Sequence, residues 1–120
     1  MAKRALGALE SEVLAILWSA DAPLTPAEVL ERHDAGLAYT TVMTILARLH
    51  QKGLVDRQPR GRAFEYSAVD SEADFGARQL VETLAKVNDR PAVLSRFVGR
   101  LSAAEAKELR AALEQRKPRK

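Results

Sequence analysis

The amino-acid sequence predicts a mainly α-helical protein that carries one small β-hairpin. Through most of the chain, apolar residues recur at spacings of three and four, which lines them up on one face of a helix. Alternation with a period of two occurs in one place, around Phe64 and Tyr66. Helix start and stop signals separate the helical segments from one another.

Leu6, Leu9, Val13, Ile16 and Leu17 mark a first amphipathic helix that ends near Trp18 to Ala20, where "DAPL" breaks it. "TPAE" then opens a short second helix, with Thr25 to cap, Pro26 at the first helical position and Glu28 placed to close a capping box. Val29 and Leu30 point inward, and Asp34 and Gly36 favour a turn. "AYTTVMTILARLHQKG", residues 38–53, is a third helix closed by Gly53, where a left-handed cap needs no side chain. Two short runs, 54–58 and 63–67, flank "PRGR" and form a hairpin with a basic tip, Phe64 and Tyr66 alternating as in a half-buried strand. Three helices followed by a hairpin have the order of a winged helix-turn-helix.

The remainder reads as helices again. Residues 70–89 form a long helix from a Ser71 or Asp70 cap, presenting Leu80, Leu84 and Val87. A short helix from Pro91 to Gly99 carries Val93, Leu94, Phe97 and Val98, and Ser102 with Glu105 opens a last one bearing Leu109 and Leu113. Three such thin helices cannot shield these side chains from water by themselves, so they are expected to pack on a second copy. The expected organisation is a winged-helix domain over 1–69 and a helical dimerisation region over 70–120, working as a homodimer. "RKPRK" at the end is a charged tail.

Composition narrows the function. With no cysteine, a disulfide scaffold, a zinc knuckle and a thiol nucleophile are excluded. No apolar run approaches the roughly 18 to 20 residues that span a bilayer, and Glu10 and Glu12 fall where a signal peptide keeps its apolar centre, so a cytoplasmic protein without membrane insertion is expected. His33 and His50 have no metal-ligand partners at suitable spacing, and no nucleophile constellation or phosphate loop is visible; no metal, no cofactor and no enzyme activity are expected. The net charge of +3 is uninformative as a total, because Lys/Arg and Asp/Glu balance up to Ser67. Its local distribution is informative.

At about 100° per residue, Val42, Ile45, Leu46 and Leu49 share one arc of the third helix. Thr40, Thr44, Ala47 and Gln51 point away from it, flanked by Thr41, Met43 and Arg48. A solvated face ordinarily carries Glu/Lys pairs, yet no carboxylate occurs from Tyr39 to Val55. Small hydroxyls, methyl groups, a thioether and an arginine suit the major groove, where they can meet base edges, thymine methyls and phosphates. Arg48, Lys52, Arg57, Arg60 and Arg62 face only Asp56 between positions 48 and 62, a basic cluster where a helix end and a wing tip would meet the phosphate backbone. Taken singly, the threonines could be solvated, Met43 could fill a core and the two tip arginines could be a soluble turn.

"LAYTTVMTILARLHQKGLV" and "RGRAFEYSAV", with the helical tail, resemble the penicillinase-repressor family, the BlaI/MecI group of bacterial transcriptional repressors. The resemblance covers nearly the whole chain and is most specific at "AYTTVMT". It implies a repressor that dimerises through its C-terminal helices and binds double-stranded operator DNA at an inverted repeat of TACA/TGTA half-sites, in control of β-lactam-resistance or cell-envelope-stress genes. It places base-reading positions on Thr40, Thr41, Met43 and Thr44, and backbone-contacting positions on Arg48, Lys52, Arg60 and Arg62. Copper-responsive relatives use a C-terminal cysteine cluster, which is absent here. In antibiotic-responsive members a membrane sensor triggers cleavage just before a phenylalanine that follows an asparagine; "AVLSRFV" offers Arg96 and Phe97 instead, which leaves a membrane sensor protease, another protease or a small ligand as the agent of release. The alternative is a winged-helix module that binds protein rather than DNA, which would have an apolar, uncharged wing.

Overall fold

A computed structural model of the protein describes residues 7–34 and 36–116. Among the described residues it contains α1 (Ala8–Ser19), α2 (Pro26–Arg32), α3 (Tyr39–Gln51), β1 (Val55–Arg60), β2 (Ala63–Ala68), α4 (Glu72–Ala85), α5 (Arg90–Gly99) and α6 (Ala103–Gln115). Leu6, expected in the first helix, and most of the terminal tail lie outside the described residues.

The chain divides into two compact units after Ala77. The first holds the core: Val13, Leu14 and Leu17 of α1, Leu24, Val29 of α2, Val42, Ile45, Leu46 and Leu49 of α3, and Val55 and Tyr66 of the hairpin. The capping box of α2 forms as the sequence predicts, with Glu28 N–H donating to Thr25 Oγ1 and Thr25 N–H to Glu28 Oε1. Gly53 closes α3 at φ +77°, the left-handed conformation expected of it. α1 differs from expectation. Its inward stripe is Glu10, Val13, Leu14 and Leu17, while Leu9 is exposed and Ile16 only half-buried. The stripe can hold a carboxylate because Glu10 Oε1 accepts from Gly7 N–H at 3.0 Å and from Lys52 Nζ at 2.9 Å.

The hairpin is antiparallel, its pairs running from Val55↔Ala68 to Arg60↔Ala63. β1 therefore continues past the expected 54–58 run and through Pro59 to Arg60. Proline is tolerated there because β1 pairs only with β2 and its outer edge is unpaired. The loop is reduced to Gly61 and Arg62, and Gly61 at φ +61° supplies the positive dihedral that a two-residue type II′ turn needs at its first position. On the other edge of β2, Leu24 exchanges two backbone hydrogen bonds with Tyr66, at 2.9 and 2.7 Å. Tyr66 is buried, but Phe64 is not: it lies beyond the core and is covered on one side by the Arg57 guanidinium, 4.3 Å from the ring centroid.

α4 begins inside the first unit. Ser71 caps it through the Asp74 amide, Phe75 packs on Trp18 with ring centroids 5.5 Å apart, and Trp18 Nε1 donates to the Asp70 carbonyl. In the second unit, Asp89 caps α5 and the Ser102–Glu105 capping box opens α6 as expected. No side chain of α4, α5 or α6 is fully buried. Leu80, Val81, Leu94, Phe97, Val98 and Leu113 are exposed, and Leu84, Val87 and Leu109 are half-covered.

Candidate nucleic-acid interface

α3 is the candidate interface because its two faces are chemically separate. Val42, Ile45, Leu46 and Leu49 are all buried, so the helix is seated by its apolar stripe. The opposite side leaves Thr40, Met43, Thr44, Ala47, Arg48 and Gln51 exposed, and Thr41 at the margin is partly covered. Thr44 Oγ1 donates to the Thr40 carbonyl at 3.0 Å. With its proton so engaged, Thr44 offers outward a methyl group and acceptor lone pairs, a combination that suits a thymine methyl or a base amino group. The first turn of α3 carries no carboxylate and no side-chain cap, so nothing acidic opposes an approaching phosphate at that end.

The basic residues are held differently from one another. Arg48 lies exposed on the last turn of α3. Lys52, the helix C-cap, reaches back to Glu10, which ties the end of α3 to the start of α1. Arg57 lies over Phe64. Arg60 Nη1 donates to both oxygens of Glu28, at 3.0 and 3.3 Å, and lies 3.7 Å from Glu65 Oε1. Arg62 sits exposed in the two-residue loop at the hairpin tip. The sequence pattern found these cations but not Glu10 and Glu28, the carboxylates that reach Lys52 and Arg60 from distant segments.

His33 makes a 2.7 Å contact with Glu12 Oε1, linking the end of α2 to α1. Among the described residues, no group of three His, Asp or Glu side chains could hold a metal ion. Among the same residues, no helix is long and apolar enough to cross a membrane.

A model of the penicillinase repressor family matches residues 6–115. The chain belongs to the penicillinase repressor family. The transcriptional regulator BlaI from two strains of Mycobacterium tuberculosis is 43% identical over 113 residues, covering 90% of this chain and 82% of the regulator. The solution structure of the DNA-binding domain of the repressor BlaI matches with a TM-score of 0.52 at 27% identity, over 62% of this chain and 93% of that domain. The YusO protein from Bacillus subtilis matches with a TM-score of 0.51 at 26% identity, over 93% of this chain and 77% of YusO. Penicillinase repressors are a family of regulators and not of enzymes, and the winged-helix fold expected from the sequence is the one these neighbours share.

In this repressor-family member the two glutamates that hold Lys52 and Arg60 are also expected to make stability fall in acid. Burial pushes the Glu10 carboxyl up, but the Gly7 amide, Lys52 and nearby Arg48 together outweigh it, and the net displacement is below the ordinary 4.5. The Thr25 amide, assisted by Arg60, lowers Glu28 in the same direction. A carboxylate with a depressed folded-state pKa contributes stability above its unfolded value, and that stability is lost as pH falls through the folded one. Thermal unfolding from neutral pH to below pH 4.5 is therefore expected to show a falling midpoint in the acid limb. Glu10→Gln should flatten that limb; an unchanged acid limb in this variant would rule out the contribution of Glu10.

Proposed function

We propose that this protein is a sequence-specific transcriptional repressor that binds an inverted-repeat operator as a homodimer, one α3 to each half-site. The observation that carries the proposal is the exposed face of α3, free of acids and bearing Thr40, Met43, Thr44 and Arg48 opposite a fully buried stripe. Its helix N-terminal half enters the major groove, with Thr40, Thr41, Met43 and Thr44 toward base edges and Arg48 and Arg62 toward phosphates. The family resemblance supplies the half-site, TACA/TGTA, and control of β-lactam-resistance or cell-envelope-stress genes. Similarity to the BlaI DNA-binding domain supports duplex DNA as the partner. The basic wing argues against a protein-binding module.

The second copy covers the apolar residues that the C-terminal helices leave exposed, Leu80, Leu94, Phe97, Val98 and Leu113, with Leu84, Val87 and Leu109 beside them. Release follows from breaking that interface. Arg96 and Phe97 lie within α5, so a protease that cuts between them acts after local unwinding and detaches α6. The protein works in the cytoplasm.

Selection of bound duplexes from a random pool tests the proposal, with an inverted TACA/TGTA repeat as the expected product. Thr44→Ala and Met43→Ala should each relax base preference by roughly 1–3 kcal/mol. Arg62→Ala should instead weaken all duplexes alike and reduce the salt slope by about 0.9 for each phosphate it no longer neutralises. Equal effects of both classes on selected and scrambled DNA would refute the division of roles.

A further inference from the structure

We propose that Glu28 is a positioning residue for operator recognition: through Arg60 it locks the wing to the start of α2, and Arg60 acts through this lock rather than as a phosphate contact. The inference rests on the DNA-binding reading above and adds to it a residue that never touches DNA.

The distal hairpin needs such a tie. Tyr66 is its last buried residue, held in place by the bridge to Leu24. Beyond it, Phe64 is exposed, and an isolated two-stranded ribbon is marginal in water. Arg60 forms the final pair before the loop, with Ala63, and its guanidinium reaches the Glu28 carboxylate. The same Oε1 accepts the Thr25 amide at 2.9 Å, so one carboxylate both caps α2 and anchors the hairpin.

The charges separate Arg60 from Arg62. Glu28 and Glu65 both lie within 4 Å of the Arg60 guanidinium, two carboxylates for one cation, so the group brings no net positive charge to a phosphate. Glu65 also accepts from Gln58 Nε2 at 2.7 Å, which braces the pair across the two strands. Among the described residues Arg62 has no ion-pair partner in the structure and remains the cation of the tip. Binding to any duplex needs charge alone, whereas binding to one site needs the wing in register with α3. Loosening the lock should therefore act on specific affinity and spare the electrostatic part.

The test uses the full-length protein with two probes, a duplex carrying the inverted TACA/TGTA repeat and a scrambled duplex of equal length. Glu28→Gln keeps an acceptor for the Thr25 amide but removes the charge; Arg60→Gln removes the other partner. Each should weaken binding to the repeat roughly two- to fivefold, as expected for a partly exposed pair, and the double variant should be no weaker than either single one. The salt slope on scrambled DNA should stay as in the unsubstituted protein. A slope lowered by about 0.9 in Arg60→Gln, or additive losses in the double variant, would overturn the inference. Hydrogen exchange of the free protein reads the lock without DNA: Glu28→Gln should speed exchange of the amides between Gln58 and Glu65, and unchanged exchange would overturn it. If the unsubstituted protein does not distinguish the two duplexes while exchange does respond, the DNA-binding reading fails and the lock stands as a structural tie only.

Discussion

Truncating the chain after Ala77 is expected to leave a folded monomer that binds the operator about 10²- to 10⁴-fold more weakly than the full-length protein. The retained part keeps the whole buried core, the Trp18–Phe75 contact and the hydrogen bond from Trp18 to the Asp70 carbonyl. What it loses is most of the helices that bury no side chain fully within one chain, with Leu80 60% and Val81 64% exposed. Without them each winged unit must find its half-site alone, and the advantage of linked binding disappears. Sedimentation and operator titration of both proteins measure the two consequences together. A full-length protein that sediments as a monomer at micromolar concentration, or a truncated one that keeps its affinity, would refute the proposed assembly. A cut after Val69 should also lower the unfolding midpoint, because it removes Asp70 and Phe75 from Trp18.

Leu46→Ala is expected to destabilise the first unit by about 2–5 kcal/mol, the range for a buried leucine that leaves a cavity. Leu46 has no exposed surface and faces the core side of α3. On a domain whose total stability is of order 5–15 kcal/mol, such a loss endangers folding itself. Three residues earlier the outcome should differ. Met43 is 47% exposed, and Met43→Ala should stay within about 0.5 kcal/mol of the original stability while changing base preference. Denaturant titrations of the two variants decide the matter through the midpoint at constant slope. Comparable destabilisation by both would mean that Met43 belongs to the core and not to the DNA face.

α3 was legible because everything that orients it is local. Its apolar residues have one dominant arc, its end carries a glycine, and no acid interrupts the opposite side, so neighbours in sequence suffice to divide the helix into a seated and an open face. The same holds for the capping boxes at Thr25 and Ser102, which are four-residue devices. α1 was not legible in this way. Leu9, Val13, Leu14, Ile16 and Leu17 spread over an arc of about 160°, wider than one core-facing stripe, so periodicity alone does not choose which part is buried. The choice of Leu14 over Leu9 came with Glu10 facing Lys52, a partner on another helix.

The wing divides along the same line. Its existence and its basic charge follow from a short alternating run beside "PRGR", since strand preference and turn chemistry are properties of adjacent residues. Which of its arginines is paired with carboxylates and which is left unpaired depends on where Glu28 arrives from α2. Local pattern encodes helices, turns and the faces they present, because those rest on backbone sterics and the spacing of apolar groups. Ion pairs between distant segments exist only once the core has brought those segments together, and they decide which charges remain available to a partner.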